Sequence, residues 1–584
     1  MNANVKPGEA PRPLSPPPPP DRAEGALDRY AHAAMADLAG GFSPIALALA
    51  MYDWAAHLAV SPGRRSELAG SAVARAAELA RSVATAGASK TGAARALDPR
   101  FRAPEWSQPP FSFYADAFLA AEAWWGEATS EVHGADPHHL ALAGFVARQA
   151  LDMVAPSNCL ATNPEALART AREGGLNLAR GAMKLAADLQ RLTRGERGDP
   201  VRAFEPGKTV ALTPGVVVKR TPLAEIIQYA PTTPAVAAEP IVIVPAWIMK
   251  YYILDLRPED SLIRHLVDQG FTVFCVSWRN PTIADRDVGF DAYRRQGLMA
   301  AIDAALSIAG AAKAHLVGYC IGGTLAAIGA AAMARDHDDR LKSLTLFAAQ
   351  TDFQEAGELR LFIDDSQLAT LEDEMWVRGT LESRQMAGTF DLLRSNDLIW
   401  SRVIHQYLMG EPEQVDDLSA WSADATRMPY RMHSEYLRSL YLNDDLAEGR
   451  FKVAGRRIAL QDVSLPMFVV GTERDHVAPW RSVFKIHLLA GNAETTFVLV
   501  NGGHNRGVVA PPAASDSRRH YRIATTGPSD PRPDADVWAA SASYHEGSWW
   551  PAWFGWLDRH SDGKVAPPPM GPALCPAPGE YVHG

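Results

Sequence analysis

The strongest constraint on this chain is the stretch Ala314-His-Leu-Val-Gly-Tyr-Cys-Ile-Gly-Gly-Thr-Leu-Ala-Ala-Ile-Gly-Ala330. It reads as a short apolar strand, a sharp turn and an Ala-rich helix. The turn, Gly318-Tyr-Cys-Ile-Gly322, is a G-x-C-x-G, the pattern of a nucleophile elbow with cysteine in place of serine. A nucleophile at such a turn has strained backbone, and a Cβ on either flanking glycine would strike the neighbouring strand or helix. Cys320 then opens a helix, where free N–H groups and the helix dipole favour a thiolate, the nucleophilic form. The alternative is a buried core cysteine in an ordinary strand–turn–helix.

A cysteine nucleophile needs a base, and the base needs an orienting group. In an elbow-type fold these follow later in the chain, acid before histidine, each on a loop after a strand. Met467-Phe-Val-Val-Gly-Thr-Glu-Arg-Asp475 is a strand and a loop ending on Asp475. Thr496-Phe-Val-Leu-Val-Asn-Gly-Gly-His504 is a strand and a glycine loop carrying His504. The expected triad is Cys320, Asp475 and His504. Plainer roles are a cap for Asp475, on the segment beginning at Pro479, and a turn position for His504. His476 is the rival base, but it follows the acid directly and is expected to face away from it. The oxyanion donors are expected to be the backbone N–H of Ile321 and one near Ala246 and Trp247, after the strand Ile241–Val244. Lys250 is read either as a group attracting an anionic substrate or as a surface lysine.

In chain order, residues 1–24 hold an unbroken proline run, Pro16 to Pro20, and are expected to be disordered or polyproline II. Residues 25–198 show apolar residues at three- and four-residue spacing, a mostly helical N-terminal domain. Its apolar faces, with Trp124 and Trp125, are expected to pack on each other and on the next domain; the alternative is a docking surface for a partner or an apolar particle. From 199 to 584, strands at 216–221, 225–230, 241–244, 272–276, 315–317, 343–347, 467–470 and 496–500 alternate with helical segments. That alternation predicts an α/β, doubly wound sheet of the α/β-hydrolase type. An insertion at about 352–449, rich in Leu, Trp, Tyr and Met, is expected to cap the cleft.

Composition narrows the function classes. A formal charge of −10, with no basic stripe carrying aromatics, argues against nucleic acid. The four cysteines are scattered without a C-x-x-C, so neither a disulfide framework nor a metal site is expected, and a cytoplasmic setting fits. The N-terminus lacks a signal-peptide pattern, and the longest apolar run is too rich in Gly and Ala to span a bilayer.

Several segments together resemble one family. Gly318-Tyr-Cys-Ile-Gly-Gly-Thr324, Lys250-Tyr-Tyr-Ile-Leu-Asp-Leu256, Ser277-Trp-Arg-Asn-Pro281, Asn396-Asp-Leu-Ile-Trp400, Asp475-His-Val-Ala-Pro-Trp480 and Gly547-Ser-Trp-Trp-Pro551 look like class I polyhydroxyalkanoate synthases. The resemblance runs from about residue 100 to Tyr581. It implies transfer of (R)-3-hydroxyacyl groups from coenzyme A onto a growing polyester, by a homodimer, at the surface of cytoplasmic granules. It also implies Cys320 as nucleophile, His504 as base and Asp475 as acid, with no cofactor beyond the coenzyme A thioester substrate. Asp475 would orient His504 or act on the hydroxyl itself. Four positions depart from the family and suggest a divergent paralogue: Ala246, Met249, Asn505 and Arg506. Arg506, if turned inward, weakens the base; otherwise it is a candidate for a coenzyme A phosphate. The alternatives are a thioesterase or polyester depolymerase using the same triad, and a non-catalytic granule-associated relative.

Overall fold

The structure is a computed structural model. It describes residues 23–84, 90–194, 203–383, 395–413, 415–512 and 518–584, together with Gln385 and Gly388. Most of the stretch expected to be a proline-rich tail, and the expected domain boundary at 198/199, lie outside the described residues. The first helix, Ala23–Leu38, begins two residues inside the expected tail.

Eleven strands form the main sheet, numbered here in chain order: β1 (Gly215–Arg220), β2 (Ala224–Tyr229), β3 (Ile241–Val244), β4 (Val273–Trp278), β5 (Ala314–Tyr319), β6 (Leu341–Phe347), β7 (Met467–Thr472), β8 (Thr495–Val500), β9 (His520–Thr526), β10 (Ser543–Glu546) and β11 (Cys575–Pro576). Their order is β10-β9-β8-β7-β6-β5-β3-β4-β2-β1-β11. The six from β4 to β8 are parallel, and the flanking pairs are antiparallel. The expectation of an α/β sheet of the α/β-hydrolase type is met, and antiparallel strands extend its parallel centre at both edges.

The central strands are apolar throughout because both faces are covered. Along β3, Val242 and Val244 join the core on one face, and Ile241 and Ile243 the core on the other, as the two-residue period of a strand requires. The helix after the elbow, Ile321–Arg335, is buried at every position from Ile321 to Met333. Its Gly and Ala content follows from that confinement: Gly318 and Gly323 face each other so closely that a Cβ on Gly318 would lie 2.4 Å from the Gly323 Cα.

The insertion after β6 contains the helices Asp365–Arg378 and Tyr430–Tyr436 and a small antiparallel pair, Thr380–Leu381 with Met428–Pro429. The N-terminal region contributes helices including Pro44–Ala59, Phe111–Ala128 and Pro137–Met153. Trp124 donates through Nε1 to the Leu68 carbonyl, and Trp125 packs against Trp54 with ring centroids 5.9 Å apart. These tryptophans thus pack within the helical region. Other apolar side chains stay outside: Leu27, Leu38, Tyr52 and Val60 are each more than half exposed. The helix Ala23–Leu38 rests on the cap, with Tyr30 edge-on to Trp376 at 5.8 Å.

Candidate active site

Cys320 sits at the sharp turn between β5 and its helix with φ 55° and ψ −130°. That left-handed backbone is strained for a residue with a Cβ and persists only where its surroundings fix it. They do: the Cys320 N–H donates to the Phe347 carbonyl at 2.9 Å. A Cβ on Gly322 would lie 2.3 Å from the Val244 oxygen. The end of β3 is thus pressed against the first turn of the elbow helix.

Asp475 and His504 meet as the strand order predicts, since β7 and β8 are neighbours. His504 Nδ1 lies 2.8 Å from Asp475 Oδ2. Thr472 Oγ1 donates to the same oxygen at 2.9 Å, and the N–H groups of Val477 and Ala478 donate to Oδ1 at 2.9 and 2.8 Å. Asp475 is not the cap of the following helix, whose N-cap is Pro479 with no side-chain cap bond; its Oδ1 instead holds the turn at Val477 and Ala478, while Oδ2 takes the triad position. Burial pushes its carboxyl up, but the His504 charge and these donors hold it below the usual carboxylate range. For His504 burial pulls downward, yet the Asp475 carboxylate and the neighbouring Cys320 thiol hold it well above the usual histidine range. The bond to Asp475 is made by His504, as expected in preference to His476.

The His504 loop is held from behind. A Cβ on Gly507 would come within 2.5 Å of the Thr472 side chain, so the loop lies directly against β7. Trp549 and Trp550 donate through Nε1 to the carbonyls of Gly507 and Val508, each at 2.9 Å. The Ser-Trp-Trp-Pro motif is thereby explained, although nothing in its spacing points to the loop it supports. Asn505, one of the departures, accepts the Tyr319 hydroxyl at 2.7 Å, and the Tyr319 ring lies 5.5 Å from that of His504.

Other expectations are corrected. Lys250 is neither a surface residue nor turned to a substrate: it is buried and donates through Nζ to the Gly584 carbonyl oxygen at 2.6 Å. Arg506 does not point inward; it is largely exposed and pairs with Asp416 of the cap. The loop after β3 does reach the elbow, with Ile248 beside Cys320 and Ile321 in the cavity wall. The Trp247 side chain turns instead into the core, 4.7 Å from Tyr293. This loop is tied to the cap through Thr426, whose N–H donates to the Ile248 carbonyl and whose hydroxyl donates to the Trp247 carbonyl. Met249, another of the departures, forms an antiparallel bridge with Ala425 in the same contact.

Above Cys320 lies a cavity of about 120 Å³, walled by the elbow, by the cap and by the turn Gly40-Gly-Phe42 of the N-terminal region. Gln367 of the cap fixes that turn, donating to the Gly41 carbonyl at 2.9 Å and accepting the Ser43 N–H at 2.7 Å. No sequence signal connected residues 40–42 with Cys320. Most of the lining is apolar, with Phe42, Phe353, Phe362 and Leu371 among the larger side chains. Among the described residues, no cluster of potential metal ligands occurs and no helix is long and apolar enough to cross a membrane.

A mixed sheet with a parallel centre, a nucleophile elbow after a central strand, and acid and histidine loops after later strands define an α/β-hydrolase fold; a family model described as "alpha/beta hydrolase fold" matches residues 239–510. Two further models narrow this class: "Poly-beta-hydroxybutyrate polymerase (PhaC) N-terminus" matches residues 97–266, and "Poly-beta-hydroxybutyrate polymerase N terminal" matches residues 22–64. The chain is 43% identical over 494 residues to a poly(3-hydroxyalkanoate) polymerase of Methylorubrum extorquens, covering 83% of this chain and 80% of that one. It is 36% identical over 499 residues to the poly(3-hydroxyalkanoate) polymerase subunit PhaC of Cupriavidus necator, covering 83% of each. The chain belongs to the poly(3-hydroxyalkanoate) polymerase family.

Proposed function

We propose that this chain is a polyhydroxyalkanoate synthase, an acyltransferase that polymerises (R)-3-hydroxyacyl groups from coenzyme A through a thioester on Cys320. The observation that carries the reading is a cysteine elbow in the wall of a mostly apolar cavity, together with a buried His504–Asp475 pair on the loops of neighbouring strands. Cys320, with its proton taken by His504, attacks the thioester carbonyl, and the carbonyl oxygen becomes an oxyanion. The backbone N–H of Ile321 and one from the loop at Trp247 are the donors assigned to it. As the carbonyl reforms, the carbon–sulfur bond to coenzyme A breaks and His504 returns the proton to the departing thiolate.

Exchange of one thioester for another is nearly isoenergetic. In the second half, a 3-hydroxyl attacks the acyl–Cys320 carbonyl while His504 takes its proton. An oxoester forms, the Cys320 thiol is released, and this step is downhill because an oxoester is more stable than a thioester. The four donors on Asp475 and its depressed titration support an orienting role for it rather than direct action on the hydroxyl. The reading invokes no metal or cofactor; coenzyme A enters as part of the substrate.

The site of action in this reading is the surface of cytoplasmic polyester granules, with the enzyme as a homodimer. The exposed Leu27, Leu38, Tyr52 and Val60 of the N-terminal helices support contact with an apolar surface.

The test is coenzyme A release from (R)-3-hydroxybutyryl-coenzyme A by the wild type and by Cys320→Ala, with the product examined for insoluble polyester. Release with polymer, lost in the variant, is expected. Release giving only free hydroxy acid would establish a hydrolase instead.

A further inference from the structure

Several polar side chains outside the triad line the cavity, Thr324, Gln350 and Gln367 among them, and His433 is set apart by an unpaired ring nitrogen. His433 lies on the cap helix Tyr430–Tyr436, is 2% exposed, and lines the same cavity as Cys320. Its Nδ1 is buried and has no hydrogen-bond partner among the described residues. Leaving such an atom unpaired costs about 1–3 kcal/mol, so a site that retains it calls for a polar partner. Its neighbours are apolar or aromatic: the Tyr436 ring lies 6.0 Å away, and Leu437 and Phe353 complete the wall nearby. Burial alone pulls the imidazole down to about 3, so the ring is neutral throughout the working range. A neutral imidazole offers one donor and one acceptor. A secondary hydroxyl offers the same pair.

The acyl chain in the proposed reaction brings such a group into the cavity. Its 3-hydroxyl sits two carbons beyond the carbonyl attached to Cys320, inside a wall that is otherwise mostly apolar. We propose that His433 hydrogen-bonds the 3-hydroxyl of the acyl group held on Cys320 and thereby selects 3-hydroxyacyl over unsubstituted acyl thioesters. This assignment rests on the synthase reading and names a residue that sets its substrate class. His433 takes no proton from the reaction; it contacts the substrate at a group that stays intact during acylation. Selection arises because the unsubstituted chain leaves the buried imidazole unpaired, whereas the hydroxylated chain satisfies it.

The test compares two probes, (R)-3-hydroxybutyryl-coenzyme A and butyryl-coenzyme A, in single-turnover acylation of Cys320. Coenzyme A release and the mass of the acylated protein are read for the wild type, His433→Phe and His433→Gln. The wild type should acylate faster with the hydroxylated probe. His433→Phe should lower kcat/KM for that probe by about 10- to 100-fold while leaving butyryl transfer unchanged or faster, and His433→Gln, which keeps a donor and an acceptor, should recover part of the preference. Equal loss for both probes in both variants would assign His433 to cap packing and overturn the proposal. So would an unaltered preference in His433→Phe. A folded wild type that acylates Cys320 with neither probe refutes the synthase reading, and the His433 assignment with it.

Discussion

Replacing Asp475 by Asn tests the geometry of the triad most directly. Asn keeps the shape but removes the charge and turns one acceptor into a donor. The oxygen that remains is claimed by the N–H groups of Val477 and Ala478 at 2.9 and 2.8 Å, so the amide nitrogen is left facing Thr472 and His504. A donor at that position, 2.8 Å from His504 Nδ1, forces the ring to accept there and to carry its proton on Nε2, the nitrogen left to face Cys320. The imidazole can then no longer take the thiol proton. The imidazolium also loses a carboxylate at a charge separation of about 4 Å, about 4 kcal/mol at an effective dielectric of 20. That corresponds to a fall in kcat of about 10³-fold.

Two pH measurements accompany this loss. In the wild type His504 is raised above its ordinary 6.5, so its contribution to stability is fully present below 6.5 and is lost as pH rises through the raised folded value. Asp475 is depressed, so its contribution is present above 3.8 and is lost as pH falls through the depressed folded value. The variant lacks both, and its deficit in thermal stability should therefore be largest between these two ordinary values. In the rate profile of coenzyme A release, the limb belonging to His504 should move to lower pH, because burial then acts on the ring without its counter-charge. Turnover within threefold of the wild type, with an unmoved profile in a protein of native circular dichroism, would refute the reasoning.

Gly322→Ala places a methyl group 2.3 Å from the Val244 oxygen and 2.4 Å from the Pro245 oxygen. Because backbone atoms cannot swing aside, the variant should lose about 3 kcal/mol of stability, seen as a lower denaturant midpoint, and near-native stability would contradict the packing of β3 on the elbow. Arg506→Ala should leave turnover, KM for the coenzyme A thioester and the pH profile unchanged, with stability altered by less than about 1 kcal/mol, because the side chain is exposed and its pair with Asp416 is a surface one. A shifted profile in steady-state kinetics would place its charge at His504 after all.

The positions of Cys320 at the sharp turn and of Asp475 beside His504 were legible because each residue carries local punctuation. Glycines flank Cys320 and precede His504, an apolar strand leads into each loop, and the chain order matches the fold. The parallel strands were legible for the same reason: burial on both faces leaves unbroken Val, Ile and Leu runs. The edge strands lacked that mark. β10 is exposed at all its positions and β11 spans two residues, so neither shows a periodicity. Lys250 was misread because its acceptor, Gly584, lies 334 residues further along the chain. Arg506 was two residues from the base in sequence, but sequence distance does not give side-chain direction. The wall at Gly40–Phe42 was invisible for a related reason: three small or apolar residues in a turn acquire their place only through Gln367, far away in the cap.

In the synthase reading, that wall bears on the fate of the acyl-enzyme. A thioester on Cys320 can be taken by an alcohol or by water, and the ratio of the two rates sets how many units are added before the chain is cut loose. Water in the cell is present at a concentration no alcohol matches, so long chains require the bond to be shielded during the wait for the next monomer. Phe42 and its turn close one side of that shield, yet they join two helices, Ala23–Leu38 and Pro44–Ala59, remote in sequence from every triad residue. In the synthase reading, product length is then expected to depend in part on a segment that does no chemistry. A catalytic sheet joined to a different helical region would keep its elbow and its base while changing the length of polymer it releases.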